Sequence, residues 1–564
     1  MKRLFTTIVI LMLIAVLGTA FYKLYFVKYS YTEARADTNE YYGVEAEDDY
    51  PVILEDELSE HRARMIDDTI YMDIWEVKSL INDRFYLSTA DETVSYCLPD
   101  RVITISEGES GWTDSEGGSG DEDYSILIHH DDKFYIALDF VKQYSNFSFA
   151  VYTEPNRVLL VTEWEERQEA TVKGSTRLRV SGGVKSEIVA DVPSGSRVVV
   201  LEQMDNWSKV MTEDAMIGYL ENRKLGPVET VTPQPVTDYT EPEFSHLSMD
   251  GRVNMAWHAI AGAAGNITLE ERLAGTKSVN VVAPTWFCVL NENGGVESKS
   301  SREYVDYVHS RDMQVWAVLD NFNGPDGVQQ KFLTTRESRT NVIDTVTEAV
   351  LDLGIDGINV DFESIMAEYG DDYIEFVREL SIRCRKEGLY LSVDNYVPYN
   401  FNDYYRIDEQ GVFADYVVIM GYDEHYAGSQ EPGSVASIEY VTYGIEESLT
   451  EVPAERLING LPFYTRIWRT AADGVTSEAY GMRETQAFME NHGMTKEWNE
   501  AAGQNYAEAS EDDATYQIWI EDAESIERKL EVMESYGIAG VAEWALGLET
   551  EDVWDAIAAY VEKK

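Results

Sequence analysis

Cysteine is scarce in this chain, which has only Cys97, Cys288 and Cys384 among 564 residues. An odd, widely spaced set excludes a disulfide framework and allows one bridge at most. Cys384 shares the apolar face of a predicted helix with Ile374 and Leu380. We therefore expect the cysteines to be small buried residues.

Basic residues are also few. The chain has 45 lysines and arginines against 103 aspartates and glutamates, a formal net charge of −58. A nucleic acid requires a basic binding surface, so nucleic acid is excluded as a partner. Neutral or cationic substrates are compatible with this charge.

Histidine is rare too, with eight residues in the chain. His258, His309 and His425 lack the spacing of metal ligands. The cluster His129-His130-Asp131-Asp132 lies between two apolar runs, and we interpret it as the polar tip of a hairpin rather than a metal site. The sequence predicts no metal and no cofactor.

One long hydrophobic run opens the chain. Met1-Lys2-Arg3 precedes an uncharged stretch from Leu4 to Tyr22, about the length that crosses a bilayer as one helix. Because Lys2 and Arg3 favour the cytoplasmic side, we predict a single-pass signal anchor over 1–28 and extracellular domains beyond it. The alternative is a cleaved signal peptide, with Gly18-Thr19-Ala20 as the cleavage site and a secreted product.

The next part of the chain divides by composition into four predicted segments. Residues 29–50 are polar and acidic and are predicted to form a stalk. Residues 51–165 contain short strand-like runs, such as "TIYMDIWEVKSLI", that alternate with turns. Residues 168–226 have short, evenly spaced strands and predict a small all-β barrel. Residues 227–244 carry four prolines and predict a stiff linker.

The pattern changes to strand–helix alternation over residues 245–564. Eight apolar strands alternating with amphipathic helices predict a (β/α)8 TIM barrel, whose chemistry lies at the C-terminal ends of the strands. The connection 468–516 is too long for an ordinary loop, so we predict an insertion or lid between the seventh and eighth strands.

The predicted fourth strand, "GINVDFE", contains three polar residues in alternate positions: Asn359, Asp361 and Glu363. Alternation puts them on one face and the apolar residues between them on the other. If the apolar face packs under the helices, the polar face points into the lumen. Two neighbouring carboxylates do not both ionise cheaply, so one holds a proton near neutrality, as general-acid cleavage of a glycosidic bond requires.

Three motifs in this region resemble glycoside hydrolase family 18. "DGINVDFE" resembles the family signature, "MGYDEH" resembles the Met-x-Tyr-Asp motif of strand six, and Trp544 in "VAEWALG" matches the tryptophan that ends strand eight. "YDEHYAGS" followed by "VASIEYV" is most similar to the branch of spore-cortex and peptidoglycan N-acetylglucosaminidases. Asn359 departs from the commonest form of the signature, which has Asp there.

The resemblance implies a retaining, substrate-assisted hydrolase of N-acetylated glycans. The catalytic residues that it implies are Glu363, Asp361 and Tyr422. The substrate-binding residues that it implies are Trp544, Asp423, Asn359 and Met420. The expected substrate is peptidoglycan, and the alternatives are chitin or its oligomers, or a non-catalytic barrel that binds wall glycan.

The two N-terminal modules carry resemblances of their own. Residues 51–165 resemble the N-terminal domain of copper amine oxidases, and that resemblance implies a small α+β module. Residues 168–226 are similar to a bacterial Src-homology-3-like (SH3-like) domain, through "LR" at 178, Trp207 in "NWSKV" and "GY" at 218. That resemblance implies binding to the cell wall. The alternative is that Trp207 and Tyr219 only fill the barrel core.

Overall fold

The computed structural model describes residues 2–235, 237, 239–322, 330–511 and 513–563. Val236 and Asp238 of the predicted linker, and Asp512 of the predicted insertion, lie outside the described residues. The chain forms two compact units, each of which is discontinuous in sequence. The first contains Met1–Phe85, Ile105–Thr113 and Ser119–Glu241, and the second contains Tyr86–Thr104, Asp114–Gly118 and Pro242–Lys564.

The first unit begins with an exposed apolar helix. Its parts are an α-helix over Lys2–Phe21, a π-helical turn over Tyr22–Phe26 and a last turn over Val27–Tyr29. By length and composition, Leu4–Tyr29 is able to cross a membrane, and a signal sequence passes the same test. By length and composition, the helix fits both a signal sequence and a membrane anchor.

The segment after this helix packs on the sheet of the predicted SH3-like module. Thr32 donates its N–H to the Val184 carbonyl at 2.9 Å. Asp37 caps a short helix, Thr38–Tyr42, and the Tyr42 hydroxyl accepts the Ile217 N–H at 2.7 Å. Part of the region predicted as a stalk therefore belongs to the core of the first unit.

A seven-stranded sheet follows in the region of the predicted α+β module. In spatial order its strands are Ser148–Tyr152, Arg157–Val161, Asp49–Leu54, Glu57–Ile66, Thr69–Asp73, Lys133–Ala137 and Leu127–His130. Asp131 and Asp132, both at positive φ, form the two-residue tip between the last two strands, so the hairpin prediction is confirmed. The reading of "TIYMDIWEVKSLI" as strand is wrong for its second half, where Asp73 caps a helix, Ile74–Leu80.

The second sheet of this unit is wholly antiparallel. Its order is Ile188–Val192, Thr176–Arg179, Ile217–Glu221, Trp207–Thr212, Arg197–Gln203, Arg167–Val172 and Leu225–Val231. Leu178, Val210 and Leu220 are buried in its core, whereas Trp207 and Tyr219 are partly exposed. The resemblances of the two modules, and the domain boundaries, stay predictions.

The second unit is built on a closed barrel of eight parallel strands, which confirms the TIM-barrel prediction. The strands are β1 (Val253–His258), β2 (Val281–Val289), β3 (Gln314–Asp320), β4 (Gly357–Asp361), β5 (Tyr390–Tyr396), β6 (Tyr416–Met420), β7 (Leu457–Pro462) and β8 (Gly540–Trp544). Each strand pairs with its neighbours in chain order, and β8 pairs with β1 to close the ring.

Each strand of the barrel is followed by one helix of the outer ring. The helices are α1 (Leu269–Arg272), α2 (Arg302–His309), α3 (Arg336–Leu353), α4 (Gly370–Glu387), α5 (Ile407–Phe413), α6 (Ile438–Ser448), α7 (Ala523–Tyr536) and α8 (Val553–Val561). Gly354, Gly388 and Gly537 end α3, α4 and α7 in the left-handed conformation that glycine adopts most easily.

Two separate apolar cores result from the alternation along the strands. Ile358, Val360 and Phe362 belong to the outer core between strands and helices. In the lumen, Trp316 stacks on Tyr390 and Tyr416, with ring centroids 5.1 and 5.5 Å away. All three lie at or near the N-terminal ends of their strands, so aromatic rings fill the bottom of the barrel and leave its polar groups at the top.

A five-stranded antiparallel sheet and a helix separate β7 from α7. The strands in spatial order are Gly474–Gly481, Tyr464–Ala471, Ala514–Ile520, Gln504–Glu511 and Glu497–Asn499, and the helix is Met482–Asn491. An insertion therefore occupies the long connection between the seventh and eighth strands, whereas its role as a lid stays a prediction.

Residues 86–104 pack on the outside of the barrel within the second unit. The Arg339 guanidinium binds both carboxylate oxygens of Glu379, at 3.0 and 2.9 Å, and donates to the Tyr86 hydroxyl at 3.2 Å. The Cys97 thiol contacts Glu375 at 3.5 Å. All three cysteines are free and buried, which confirms that they form no disulfide framework.

Glu543 on β8 points away from the lumen into the apolar outer core. It is fully buried, its strand neighbours are Ala256 and Leu461, and neither carboxylate oxygen has a hydrogen-bond partner among the described residues. Burial therefore raises the pKa of Glu543 well above its usual range.

We expect Glu543→Gln to stabilise the protein, and to do so more strongly as the pH rises. The folded state keeps the Glu543 proton above the pKa at which the unfolded chain loses it. Wild-type stability therefore falls with rising pH, by up to about 1.4 kcal/mol per pH unit from this group. Thermal unfolding of the full chain at several pH values measures the effect, with Glu500→Gln at an exposed site as the control. An unfolding difference independent of pH would contradict this account.

Candidate active site

Glu363 lies just beyond the C-terminal end of β4, where one neighbouring side chain forms two hydrogen bonds with its backbone. Asn321, which follows β3, accepts the Glu363 N–H at 3.0 Å and donates to the Glu363 carbonyl at 2.9 Å. The Tyr396 hydroxyl donates to Glu363 Oε2 at 2.7 Å and accepts the Ser364 N–H at 3.2 Å. Both the backbone and the carboxyl group of Glu363 are therefore fixed at the rim.

The electrostatic surroundings of Glu363 are acidic. Burial raises the pKa of Glu363, the Tyr396 hydrogen bond lowers it, and the charges of Asp423 and Asp320 raise it further. The net direction is upward, so this carboxyl group retains its proton at a higher pH than an ordinary glutamate. A side chain in this state is able to donate a proton to a bound molecule.

Three aspartates lie side by side beneath Glu363. Asp320 on β3 is in register with Asp361 on β4. Val360 is in register with Val393, so the next pair along is Asp361 with Asp394 on β5. Asp361 is only 5% exposed, and burial, followed by the charges of Asp394, Glu363 and Asp320, raises its pKa well above the usual range. Burial raises the pKa of Asp394 to about 8.

Asn359 lies one layer deeper and is fully hydrogen-bonded. Its Oδ1 accepts the Trp257 indole N–H at 3.0 Å, and its Nδ2 donates to Ser392 Oγ at 2.9 Å and to Asp394 Oδ1 at 2.8 Å. Because the indole only donates, the orientation of the amide is settled. Asn359 therefore connects β1, β4 and β5 across the lumen, away from solvent.

Tyr422 and Asp423 follow β6 at the same rim. Tyr422 is partly buried in the lumenal cluster, and burial and the charge of Asp361 raise its pKa. Gly460 on β7 makes room for it, since a Cβ there would lie 3.1 Å from the Tyr422 ring. The Asp423 carboxylate accepts a hydrogen bond from the Tyr464 hydroxyl, in the insertion, at 2.6 Å.

Trp544 ends β8 and is partly exposed at the mouth of the barrel. Its ring centroid lies 6.0 Å from that of Trp257, whose indole N–H donates to Asn359. Met420 ends β6 and is 8% exposed in the lumen. An aromatic and apolar wall therefore lies beside the row of acids.

All seven residues predicted for the site therefore lie at or just below one end of the barrel. Five contributors are additional to the sequence prediction: Asp320, Asn321, Asp394, Tyr396 and Tyr464. Ser392, Asp394 and Tyr396 occupy every second position of β5 and therefore share one face. The two-residue period of the sequence could have predicted both Asp394 and Tyr396. Tyr464 carried no such signal, because it enters from the insertion.

His258 and His309 lie outside this group of residues, and so does Asp356, which contacts His309. Asp356 Oδ2 accepts the Val315 N–H and binds His309 Nε2, both at 2.8 Å, which ties β3 to α2 as a structural contact. Burial lowers the pKa of His258 to about 4, so this imidazole is neutral. Within the described ranges, no group of three or more His, Cys, Asp or Glu side chains is arranged to hold a metal ion.

Comparison with known proteins identifies the barrel. The sequence profile of Glycosyl hydrolases family 18 matches residues 285–549. The chain carries a family 18 glycosyl hydrolase domain. The resemblance predicted from the strand motifs is confirmed, and the domain is that of a glycosidase.

Relatives of the family 18 domain include two proteins of Bacillus subtilis. The uncharacterized glycosylase YvbX of Bacillus subtilis (strain 168) is 26% identical over 297 residues, which are 50% of this chain and 84% of that protein. The cortical fragment-lytic enzyme of Bacillus subtilis (strain 168) is 24% identical over 255 residues, 43% of this chain and 58% of that enzyme. The chain thus spans little more than half of the latter.

A solved structure supports the fold. The crystal structure of chitinase from Chromobacterium violaceum ATCC 12472 is 21% identical, covers 56% of this chain and 100% of that chain, and superposes with a TM-score of 0.50. At this identity the likeness concerns the barrel fold alone.

We expect Tyr396→Phe to raise the pKa of Glu363, because the hydroxyl that stabilises its carboxylate is lost. Infrared or NMR titration of the carboxyl group in the free protein measures this shift. Tyr404→Phe is the matched control, since the Tyr404 hydroxyl donates to the Ile365 carbonyl at 2.9 Å instead. A pKa of Glu363 that is unchanged or lower in Tyr396→Phe would contradict the assignment of this hydrogen bond.

Proposed function

We propose that this protein is a retaining, substrate-assisted glycoside hydrolase that cleaves β-linked N-acetylglucosamine bonds in cell-wall peptidoglycan. The observation that carries the proposal is Glu363, fixed at the rim of a family 18 barrel with a raised pKa. It lies above a buried carboxyl group and beside an aromatic wall. This combination supplies a proton donor, a charge stabiliser and a surface for a sugar ring.

In the proposed reaction, Glu363 donates its proton to the leaving glycosidic oxygen. The acetamido oxygen of the substrate attacks the anomeric carbon and forms an oxazolinium ion, so no enzyme carboxylate attacks. Glu363, now a carboxylate, takes a proton from the water that opens this ion. Two displacements at one carbon retain its configuration.

Asp361 orients the acetamido N–H and stabilises the positive charge of the intermediate. Its depth below Glu363 suits a group that contacts the acetamido arm. Tyr422 donates a hydrogen bond to the acetamido oxygen, and Trp544 forms the apolar floor under the sugar ring.

The other predicted residues have supporting roles in this proposal. Asp423, held by Tyr464, binds a sugar hydroxyl. Asn359 and Met420 shape the lumen below the acetamido arm.

Peptidoglycan is favoured as substrate by two observations. The chain has an N-terminal helix able to serve as an anchor, and one relative is named a cortical fragment-lytic enzyme. We propose that the helix holds the protein at the membrane with its domains outside the cell, and that the SH3-like module binds the wall. Chitin is the second candidate, because a relative in Drosophila melanogaster is named a probable chitinase and is 24% identical over 249 residues.

Glu363→Gln should lower glycan turnover by about 10²-fold or more while glycan binding persists, because the variant has no proton to donate. Purified peptidoglycan and chitin oligomers are digested in parallel, and mass spectrometry identifies the new reducing-end sugar. Exposed Glu368→Gln, five residues along the chain, is the matched control and should act as wild type.

A reducing-end N-acetylglucosamine from peptidoglycan, absent with Glu363→Gln, is the expected result. Equal release of reducing ends by wild type and Glu363→Gln would contradict the catalytic proposal. Release from chitin oligomers alone would replace peptidoglycan by chitin as the substrate.

A further inference from the structure

Asp394 is a buried acid in the lumen to which the proposed reaction assigns no role. It is 1% exposed and lies on β5, beside Asp361. Adjacent strands in a sheet are about 4.8 Å apart, so two side chains at paired positions on one face are in contact range. The two carboxyl groups therefore lie within contact range of each other, and neither side chain is more than 5% exposed.

Each of these carboxyl groups has one buried oxygen without a protein donor. The unpartnered atoms among the described residues include Asp361 Oδ1 and Asp394 Oδ2. A buried carboxylate oxygen left without a hydrogen bond is costly. A single proton between the two aspartates satisfies both oxygens at once, as an O–H donor on one and an acceptor on the other.

Asn359 determines which oxygen of Asp394 is available. Its Nδ2 donates to Asp394 Oδ1, so that oxygen acts as an acceptor, and the free oxygen is Oδ2. The Trp257 indole prevents the amide from turning over, because its N–H requires the Asn359 carbonyl oxygen. An aspartate at position 359 would be a lumenal acid on β4. This chain has Asn359 there, and the lumenal acid next to Asp361 is Asp394 on β5.

We propose that Asp394 is the proton-sharing partner of Asp361 and thereby sets the charge of Asp361. The catalytic consequence of this inference rests on the proposed function, whereas the presence of the shared proton does not. When the substrate presents its acetamido N–H, the shared proton moves from Asp361 to Asp394. Asp361 then accepts the N–H as a carboxylate, and no proton is gained or lost. Asp394 is thus a positioning residue.

The other titratable groups around the pair are acids and tyrosines. Asp320 on β3 and Glu363 after β4 raise the pKa of Asp361, and Glu363 raises that of Asp394. The phenols of Tyr373 on α4 and Tyr422 after β6 lie within electrostatic range of both aspartates. In the part of the chain that is described, no lysine or arginine pairs with either aspartate. The Asn359 hydrogen bond favours ionised Asp394, but burial outweighs it and no described cation offsets a second negative charge, so one proton stays at neutral pH.

Infrared titration of the carboxyl C=O band in the full chain tests the shared proton without any substrate. Because buried Glu543 also keeps a proton, the readout is the difference spectrum between wild type and each variant. At neutral pH one protonated carboxyl band of wild type should be lost in Asp394→Asn and in Asp361→Asn. The exchange variant Asn359→Asp/Asp394→Asn moves the acid back to β4 and should regain the band. Ser392→Ala removes a second partner of Asn359 but keeps both acids, so it should retain the band.

Kinetics then test the consequence on whichever N-acetylated glycan wild type cleaves. Asp394→Asn should lower kcat by about tenfold or more and move the alkaline limb of the pH profile to lower pH by about one unit. The exchange variant should reverse both changes. Removing the partner lowers the upper pKa of the pair, which is why the limb moves in that direction.

Two results would overturn the proposal. One is an Asp394→Asn variant that retains the protonated band and the wild-type pH profile. The other is an exchange variant that is as stable as wild type in thermal unfolding but regains neither the infrared band nor the activity. If wild type cleaves no glycan, the proposed function fails, whereas the infrared comparison still decides whether the proton is shared.

Discussion

The burial of several carboxyl groups in the mouth of one closed barrel is the constraint on which the site depends. Asp320, Asp361 and Asp394 lie on three successive strands, and Glu363 lies directly above them. In a poorly solvated lumen these groups do not all ionise, so their pKa values rise together. An acid that keeps its proton near neutrality follows from this crowding and needs neither a metal nor a cofactor to produce it.

The barrel determines where this crowding occurs. Parallel strands bring all their C-terminal ends to one rim, whereas stacked aromatic rings of Trp316, Tyr390 and Tyr416 fill the opposite end of the lumen. Hydrogen bonds with Asn321 and Tyr396 then fix Glu363 just beyond the last residue of β4. The outer apolar core, to which the alternate residues of the same strand belong, holds the acids in place despite their unfavourable burial.

Much of this arrangement follows from the sequence, because alternation along "GINVDFE" requires its polar residues to share one face. The same alternation applies to Asp394 and Tyr396, but only the register between β4 and β5 reveals that Asp394 meets Asp361. Tyr464 comes from an antiparallel insertion whose approach to Asp423 no local pattern encodes. In "TIYMDIWEVKSLI" the apolar residues fit both periods, and the cap at Asp73 decides for a helix.

The most direct measurement is the structure of Glu363→Gln in complex with a β-1,4-linked N-acetylglucosamine oligomer. The account predicts a sugar ring on Trp544, its acetamido N–H donating to Asp361 and its acetamido oxygen accepting from Tyr422, with the glycosidic oxygen next to residue 363. An oligomer bound away from the mouth of the barrel, or with its acetamido group pointing out to solvent, would contradict it.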